Sequence, residues 1–310
     1  MEKNIKITVA NPAGNKTIFV HDKFERADYA KVAEQLLAMK EYAAEQVAFI
    51  LDAPECGRAE GRMEMCGLEF CGNATRTFGL MVAKQLGISG SGKVFVDVSG
   101  VDEILTVEVN TDTNYTKVKM PAYIDIKRFD ISGIFDTTGG SESTGAAGGM
   151  PEASTAAGAP DNTASDAALK EVKAVDFGGI LHLIIPDISA NLENFERVKK
   201  FVYDRFNPPA MGAMFYDTKN ETLAPVVYVK DVDSTYFEGS CASGTASCAI
   251  AFGSEKPDGD YTFTFPQPAG TIDASVEVRG GKVQTTYIEG PVEIAEPNEV
   301  PDACKWGCID

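Results

Sequence analysis

Two stretches, GLEFCGNATR (67–76) and GSCASGTASCA (239–249), decide the fold predicted for this 310-residue chain. Each places a cysteine, Cys71 or Cys241, directly before a run of small residues that is typical of a helix start. The two cysteines are 170 residues apart, and both halves follow one order: strand, helix, strand, cysteine turn, helix, strands. This repeated order predicts two similar domains, while the identity between the halves is too low to prove an internal duplication.

The segments before and after the first cysteine have clear strand and helix patterns. Two strands flank a turn at 11–16, and a helix is predicted over 28–42 with Asp28 able to cap its start. QVAFIL (46–51) is predicted to be a buried strand, and the helix after the cysteine is predicted to end at Gly87.

The second half begins after a stretch of low complexity. Residues 136–168 contain no aromatic, branched aliphatic or basic residue, so burial cannot offset the entropy of ordering them. They predict a flexible insertion without chemistry of its own. Beyond them, AVDFGGILHLIIP (174–186) is predicted to form one strand.

Composition narrows the class of protein. The 28 Lys and Arg face 46 Asp and Glu, which gives a formal net charge of −18. A chain without excess cations is not expected to bind nucleic acid or an anionic membrane. The sequence has no apolar run of about 18 residues and no signal-peptide pattern at its start, which favours a cytosolic protein.

The cysteines do not form a metal-binding or disulfide pattern. They lie at Cys56, Cys66, Cys71, Cys241, Cys248, Cys304 and Cys308. The spacings lack a paired CxxC set, and only two histidines could assist, so no metal is expected. A reducing compartment disfavours structural disulfides. Cys56, Cys66 and Cys248 are interpreted as small buried hydrophobes.

Each cysteine turn has the features of an anion site. Small residues let a ligand approach the backbone, and the free N–H groups of a helix start favour both an anion and a thiolate. We therefore expect Cys71 and Cys241 to be more reactive than an ordinary thiol with a pKa of about 8.5. One such turn is as often a packing feature as a site, but two of them indicate function. Two thiols across a cleft suit proton removal from one face of an α-carbon and proton delivery to the other.

Six stretches give the chain its resemblance to a known family. They are NPAGNKTIFV, EQVAFIL, GLEFCGNATRTFG, GGILHLII, GSCASGTASCA and IEGPVEI. In this order they resemble the motifs of diaminopimelate epimerase and the related cofactor-independent amino-acid racemases. GLEFCGNATR is similar to the branch that includes histidine racemases. The resemblance runs from Asn11 to Ile294 and excludes the insertion.

The resemblance implies an α/β (α+β) fold of two similar domains. Each would be a curled, mostly antiparallel sheet around a central helix, with the active site in the cleft between the domains. The strand after Gly290-Pro291 would return to the first domain. We therefore expect an N-terminal domain of residues 1–122 plus 291–310 and a C-terminal domain of residues 123–290.

The resemblance also assigns site residues. Cys71 and Cys241 match the acid and base pair of the family. The matching motifs imply substrate-binding positions at Asn15, Gln46, Gly72, Asn73, Ala242 and Ser243. The partner implied is a small-molecule amino acid, and neither a metal nor an organic cofactor is expected.

Several positions depart from diaminopimelate epimerase, whose Glu-Arg pair before the second cysteine falls near Val232-Asp233 here. Glu64 stands where that enzyme has an asparagine, and Ile180 and Met211 fall where it has amides. A site that loses such amides binds a long, doubly zwitterionic substrate poorly. We therefore expect racemase chemistry on a substrate with one α-centre, and Glu64 is a candidate partner for a cationic amino acid such as histidine.

Structural alternatives apply to several of these residues. Asn15 could only hold a turn, Gln46 could be a paired core amide, and Glu64 could be a solvated surface charge. His182 lies in an apolar strand and is interpreted as a satisfied core residue. Arg76 is interpreted as a structural ion pair or a cap of backbone carbonyls.

The leading hypothesis is a pyridoxal-independent amino-acid racemase or epimerase that uses Cys71 and Cys241. The first alternative is diaminopimelate epimerase itself. The second, from another class, is a non-catalytic or thiol-redox relative whose cysteines form a regulatory disulfide. A homodimer is left open.

Overall fold

The computed structural model describes residues 4–55, 57–135, 171–231 and 233–301, and there the chain is a mixed α+β protein with two sheets. The predicted insertion at 136–168 lies outside the described residues. The strands are β1 (Asn4–Asn11), β2 (Thr17–Val20), β3 (Gln46–Leu51), β4 (Gly61–Met65), β5 (Ser91–Val98), β6 (Leu105–Asn110), β7 (Tyr115–Lys119), β8 (Asp125–Asp130), β9 (Glu171–Asp176), β10 (Ile180–Pro186), β11 (Ala210–Asp217), β12 (Thr222–Val229), β13 (Ser234–Phe237), β14 (Gly259–Gln267), β15 (Gly270–Arg279), β16 (Lys282–Pro291), β17 (Glu293–Ile294) and β18 (Asn298–Pro301). The helices are α1 (Tyr29–Leu37), α2 (Gly72–Gln85), α3 (Leu192–Tyr203) and α4 (Ala242–Gly253).

Both sheets are mostly antiparallel, as the resemblance implies. The larger sheet has twelve strands in the described chain, in the order β14-β15-β16-β7-β6-β5-β4-β3-β2-β1-β17, and β18 also pairs with β1. The smaller sheet has six, in the order β13-β12-β11-β10-β9-β8. Among the strands that the structure describes, the parallel pairs are β2–β3, β4–β5 and β10–β11. The predicted fold class is therefore confirmed.

The helices that follow the two cysteines are the central helices of the fold. In α2, 11 of 14 residues are buried, and in α4, 10 of 12 are buried, so neither helix has a broad solvent face. α2 packs on β5, β6 and β7, and α4 packs on β15 and β16 of the larger sheet and on β9 and β10 of the smaller. Side chains of both helices belong to one hydrophobic cluster, the central cluster, which includes Phe78, Val107, Ile250 and Val276.

The other two helices cover the outer faces of the sheets. α1 buries Val32 and Leu36 in a cluster with Val47 and Phe49 of β3. α3 forms the corresponding cluster, the α3 cluster, with strands of the smaller sheet. Alternate residues of each covered strand therefore face different helices, and this alternation decides which strand side chains can reach the cysteine turns.

Several predicted elements differ from those observed. AVDFGGILHLIIP is not one strand, because Gly178 adopts a φ of 81° and reverses the chain between β9 and β10. Asp28 does not cap α1: it ends a short 3-10 turn with helical backbone angles (φ −97°, ψ −12°), and its side chain makes no capping hydrogen bond. The predicted strand β3 is confirmed. The helix predicted to end at Gly87 ends at Gln85, and Gly87 follows it in the left-handed conformation with a φ of 72°.

The last described strands pair with strands from the first half of the chain, within the larger sheet. β16 pairs with β7, and beyond Pro291 the strands β17 and β18 pair antiparallel with β1. The last described strands thus lie beside the first one, as the resemblance implies. The domain bounds, 1–122 plus 291–310 and 123–290, stay a prediction.

In the described part of the chain, none of the helices combines the length and the apolar character needed to cross a membrane.

Candidate active site

The two cysteines cap their helices in the same way. Cys71 has φ −128° and ψ 110° at the start of α2, and Cys241 has φ −126° and ψ 114° at the start of α4. Each Sγ accepts a hydrogen bond at 3.4 Å from the backbone N–H three residues on, at Ala74 and at Gly244. The two turns are therefore repeats of one local structure, with a thiol in the position that a Ser or Asp side chain usually takes.

The starts of the two helices touch each other. A Cβ placed on Gly72 would lie only 2.8 Å from Ile288 Cδ1 and 3.3 Å from Ala242 Cβ. Residue 72 must therefore be very small for α2 and α4 to approach this closely. The structure thus brings together the two cysteine turns that the sequence predicts, although they are far apart in the chain.

The amide side chains that were predicted to bind substrate form a hydrogen-bond network at Cys71. The Cys71 thiol donates to Gln46 Oε1 at 3.3 Å, and Gln46 Nε2 donates to Asn15 Oδ1 at 2.6 Å and to Thr17 Oγ1 at 2.9 Å. Asn73 Nδ2 also lies 3.4 Å from Asn15 Oδ1. Three predicted substrate-binding residues therefore converge on the first cysteine. In the structure they bond to one another and to the thiol.

The turn that carries Asn15 reaches the second half of the chain. A Cβ on Gly14 would overlap Ala269 in the turn between β14 and β15. Asn15 Nδ2 donates to Glu45 Oε2 at 2.7 Å, and a Cβ on Gly239, two residues before Cys241, would lie 3.1 Å from Glu45 Oε1. Asn15 is 8% exposed and therefore lies in the contact between the two halves of the chain.

Arg76 has the structural role predicted for it. Its guanidinium is fully buried, donates to Asn73 Oδ1 at 3.1 Å, and donates to the carbonyl oxygens of Gly290 and Pro291 at 3.0 and 3.3 Å. Burial lowers the pKa of Arg76 to about 10, so the group is still charged at neutral pH. It ties the first turn of α2 to the end of β16.

Cys241 has different neighbours from Cys71. Ser243 Oγ lies 3.6 Å from its sulfur and 2.9 Å from His182 Nε2, while Gln267 Oε1 accepts from the Cys241 backbone N–H at 2.9 Å. His182 is fully buried, and burial lowers its pKa to about 3, so the imidazole is neutral. It has a partner at Nε2 but none at Nδ1, so it is a core residue that is only partly satisfied.

The expectation of acidic thiols is wrong for this arrangement. Burial raises the pKa of Cys71 to about 11, and this effect outweighs the lowering by the Ala74 N–H. Burial also raises the pKa of Cys241, and the neighbouring Glu238 carboxyl group raises it further. A helix start alone does not produce a thiolate when the sulfur is shielded from water.

Glu238 is the functional candidate that sequence reasoning missed. Its carboxyl group interacts directly with the Cys241 thiol, and its Oε2 is buried without a hydrogen-bond partner. Burial raises the pKa of Glu238 to about 7. The available signal was an acidic residue three positions before the second cysteine, at the end of a strand.

Glu64 is not brought to the cysteines. It is 2% exposed, so it is not a solvated surface charge. It faces the α1 side of β4, where Arg26 and Arg62 bind its carboxylate and Tyr29 donates to it at 3.3 Å. The two arginines hold the pKa of Glu64 below its usual range. Its charge is therefore already neutralised inside the protein.

Met211 does not face the cysteine turns either. Its side chain is fully buried in the α3 cluster, on the far side of the smaller sheet from α4. Ile180 is half-buried and packs against the central cluster. We expected a substrate with one α-centre because aliphatic side chains replace amides at Ile180 and Met211. Only the replacement at Ile180 still supports that expectation.

Among the described residues, no group of three or more His, Cys, Asp and Glu side chains is placed to hold a metal ion. Cys248 is fully buried, as predicted, and Cys66 is half-buried. Cys56, Cys304 and Cys308 lie outside the described residues.

The fold is one shared with amino-acid racemases. It is similar to the crystal structure of a probable proline racemase from Agrobacterium radiobacter, with a TM-score of 0.60 and 9% identity over 94% of this chain and 92% of that chain. The family described as "Histidine racemase CntK N-terminal domain" matches residues 4–138 and 150–299. The chain therefore belongs to the histidine racemase family.

Two curated relatives agree with this assignment. A histidine racemase of Fusobacterium nucleatum is 30% identical over 94% of both chains. A histidine racemase of Staphylococcus aureus is 26% identical over 86% of this chain and 87% of its own. The protein is thus an isomerase of the amino-acid racemase class. These relatives do not favour the alternatives of a diaminopimelate epimerase or a thiol-redox protein.

Proposed function

We propose that this racemase acts on histidine and inverts its α-carbon by two proton transfers, one at Cys71 and one at Cys241. The observation that carries the proposal is the matched pair of cysteine caps at two touching helix starts. The names of the relatives support histidine as the substrate.

In this mechanism the starts of α2 and α4 hold the substrate's α-carboxylate. The backbone N–H groups that follow the cysteines, at Gly72 and Asn73 and at Ala242 and Ser243, are the candidate donors. When a proton leaves the α-carbon, negative charge spreads onto this carboxylate. Fixed N–H groups in a site shielded from water stabilise that charge more than water does.

The proton transfers are symmetric. One cysteine, as thiolate, takes the α-proton: the C–H bond breaks, an S–H bond forms, and the electron pair stays on the substrate. The opposite thiol then gives its proton to the other face of the planar carbanion and becomes the thiolate. Each cysteine is therefore the base for one enantiomer and the acid for the other.

The residues around Cys71 position its sulfur. Gln46 accepts from the thiol and is itself held by Asn15 and Thr17. We propose that Asn15 and Gln46 exchange part of this bonding for the substrate when it binds. Exchange of one bonded set for another costs less than leaving buried amides unpaired.

Chiral chromatography tests the proposal. The purified enzyme, without added pyridoxal phosphate, is incubated with L-histidine, D-histidine, the other common L-amino acids and the diaminopimelate stereoisomers. We expect both histidine enantiomers to approach a 1:1 mixture, and diaminopimelate to turn over at least about tenfold more slowly in kcat/KM. Turnover of diaminopimelate alone would contradict the proposal. A cytosolic location and a homodimer stay hypotheses from the sequence.

A further inference from the structure

We propose that Arg76 is a positioning residue of the racemase site: through the Asn73 side chain it fixes the direction of the hydrogen bonds that lead to the Cys71 thiol. This inference rests on the proposed function. Arg76 lies near the start of α2, five residues after Cys71, and its side chain is fully buried.

The guanidinium of Arg76 has two sets of partners. Nη1 donates to Thr116 Oγ1 at 3.3 Å and to the carbonyl oxygens of Gly290 and Pro291, which anchors the group to the larger sheet. Nε donates to Asn73 Oδ1 at 3.1 Å. Within the ranges that the structure describes, no carboxylate forms an ion pair with Arg76, and its Nη2 is buried without a partner. A buried cation without a counter-ion costs stability, so a tie to backbone carbonyls does not by itself account for it.

Arg76 decides which way the Asn73 carboxamide is turned. A guanidinium has only donors, so the atom of Asn73 that faces it must be the carbonyl oxygen. The amide nitrogen Nδ2 then points away from Arg76 and lies 3.4 Å from Asn15 Oδ1. The reverse orientation would set N–H groups of Asn73 and Arg76 against each other. Neither could turn to water instead, because Asn73 is only 1% exposed.

The orientation of Asn73 is passed to Cys71 through two further amides. Asn15 Oδ1 accepts from Asn73 Nδ2 and from Gln46 Nε2. The Nδ2 of Asn15 therefore faces the other way and donates to Glu45 Oε2 at 2.7 Å. Because its Nε2 is engaged, Gln46 turns its Oε1 to the Cys71 thiol, which donates to it at 3.3 Å. When the substrate takes over bonds of Gln46, Asn73 remains as the donor that holds Asn15.

The second cysteine turn carries an alanine at the equivalent position. Ala246 lies five residues after Cys241, and the residue that corresponds to Asn73 is Ser243. Ser243 bonds to the neutral imidazole of His182. A buried cation therefore accompanies the cysteine turn that has the amide network, and the other turn does without one.

A double-mutant cycle tests whether Arg76 acts through Asn73. The values of kcat and KM for L-histidine are measured for the full-length wild type, Arg76→Met, Asn73→Ala and the double variant. Methionine has a long apolar stem like that of arginine but no donor. Thr116→Val is the matched control, because it removes a contact of the same guanidinium on the side away from Asn73.

We expect Arg76→Met and Asn73→Ala each to lower kcat/KM at least about tenfold. The double variant should lie within about twofold of the less active single variant, because both changes break the same interaction. Thr116→Val should stay within about twofold of the wild type, whatever its Tm. Losses that multiply in the double variant, or an equal loss in Thr116→Val, would refute the positioning role.

Hydrogen exchange of the Asn73 side-chain amide tests the orientation without turnover. In protein with isotopically labelled asparagine, NMR follows the Nδ2 protons, which are assigned by their absence from Asn73→Ala. We expect their exchange with water to be at least about tenfold faster in Arg76→Met than in the wild type, and to change less than about twofold in Thr116→Val. Unchanged exchange in Arg76→Met would contradict the proposal.

The two measurements separate this inference from the proposed function. Faster exchange in Arg76→Met, with a wild type that racemises no amino acid, would remove the proposed function and keep the positioning role. Wild-type turnover of histidine with unchanged exchange would remove only the positioning role. If Arg76→Met does not fold, Arg76→Lys replaces it in both measurements, because lysine has no N–H at the position of Nε.

Discussion

The carboxyl group of Glu238, whose Oε2 is buried without a hydrogen-bond partner, makes the stability of the protein depend on pH in a way that one substitution should abolish. Its pKa is raised from 4.5 to about 7, so the folded protein holds a proton that the unfolded chain has lost over this interval. The free energy of unfolding therefore falls as pH rises from 4.5 to 7. A shift of 2.5 pKa units at 1.36 kcal/mol each amounts to about 3 kcal/mol.

Glu238→Gln removes this loss, because an amide is a neutral mimic of the protonated carboxyl group. We expect the variant to be more stable than the wild type by up to about 3 kcal/mol at pH 8 and to lose this advantage near pH 4.5. Urea unfolding of both proteins at pH 4.5, 6 and 8, followed by circular dichroism, measures the difference. Glu41→Gln is the control for a surface charge.

A difference between the variant and the wild type that does not change between pH 4.5 and 8 would refute the reasoning. It would mean that the carboxyl group is well solvated or has an ionic partner in solution. A larger stability of the wild type at pH 8 than at pH 4.5, abolished by Glu238→Gln, would reverse the sign and contradict the burial argument outright.

Three further predictions follow from the cysteine turns. Cys71→Ala and Cys241→Ala should each lower kcat at least about 10²-fold in both directions of racemisation. In deuterated water, the wild type should place deuterium on the α-carbon of the newly formed enantiomer before it labels the starting enantiomer, which NMR can measure. Gly72→Ala should cost about 1–3 kcal/mol in urea unfolding and lower kcat, since its Cβ would press on Ile288 and Ala242, whereas Gly179→Ala, which has open space, should not. Values of kcat/KM should rise with pH beyond 8, because the pKa of Cys71 is raised to about 11; a profile that is flat from pH 6 to 10 would contradict this assignment.

Much of the fold could be predicted from local signals in the sequence. The helix starts at the two cysteines could be predicted because small residues follow each one, and β3 could be predicted from its apolar run. β4 was harder, because Gly61 and Glu64 break its pattern. Gly61 makes room for Phe78 of α2, and the charge of Glu64 is neutralised by partners that are remote in sequence. Such partners cannot be found by periodicity.

The site shows the same division between local and long-range information. Asn15, Gln46 and Asn73 lie in motifs, and the structure joins them by hydrogen bonds. The orientation of Glu64 and Met211 depends on which face of a strand each occupies, and a motif match does not supply that register. Glu238 was missed because its importance comes from burial and from a missing partner, which are properties of the folded chain alone.

Burial also explains how thiols of such low acidity could serve as bases. At pH 7, a thiol with a pKa of about 11 is ionised in roughly one molecule in 10⁴. A bound ammonium or imidazolium would change this balance, because in a site of low dielectric constant a nearby cation strongly favours the thiolate. The thiolate formed beside the cation is then available as the base, and its basicity falls together with the pKa of the thiol. The same burial that raises the pKa of the thiol therefore strengthens the effect of a bound cation on its ionisation.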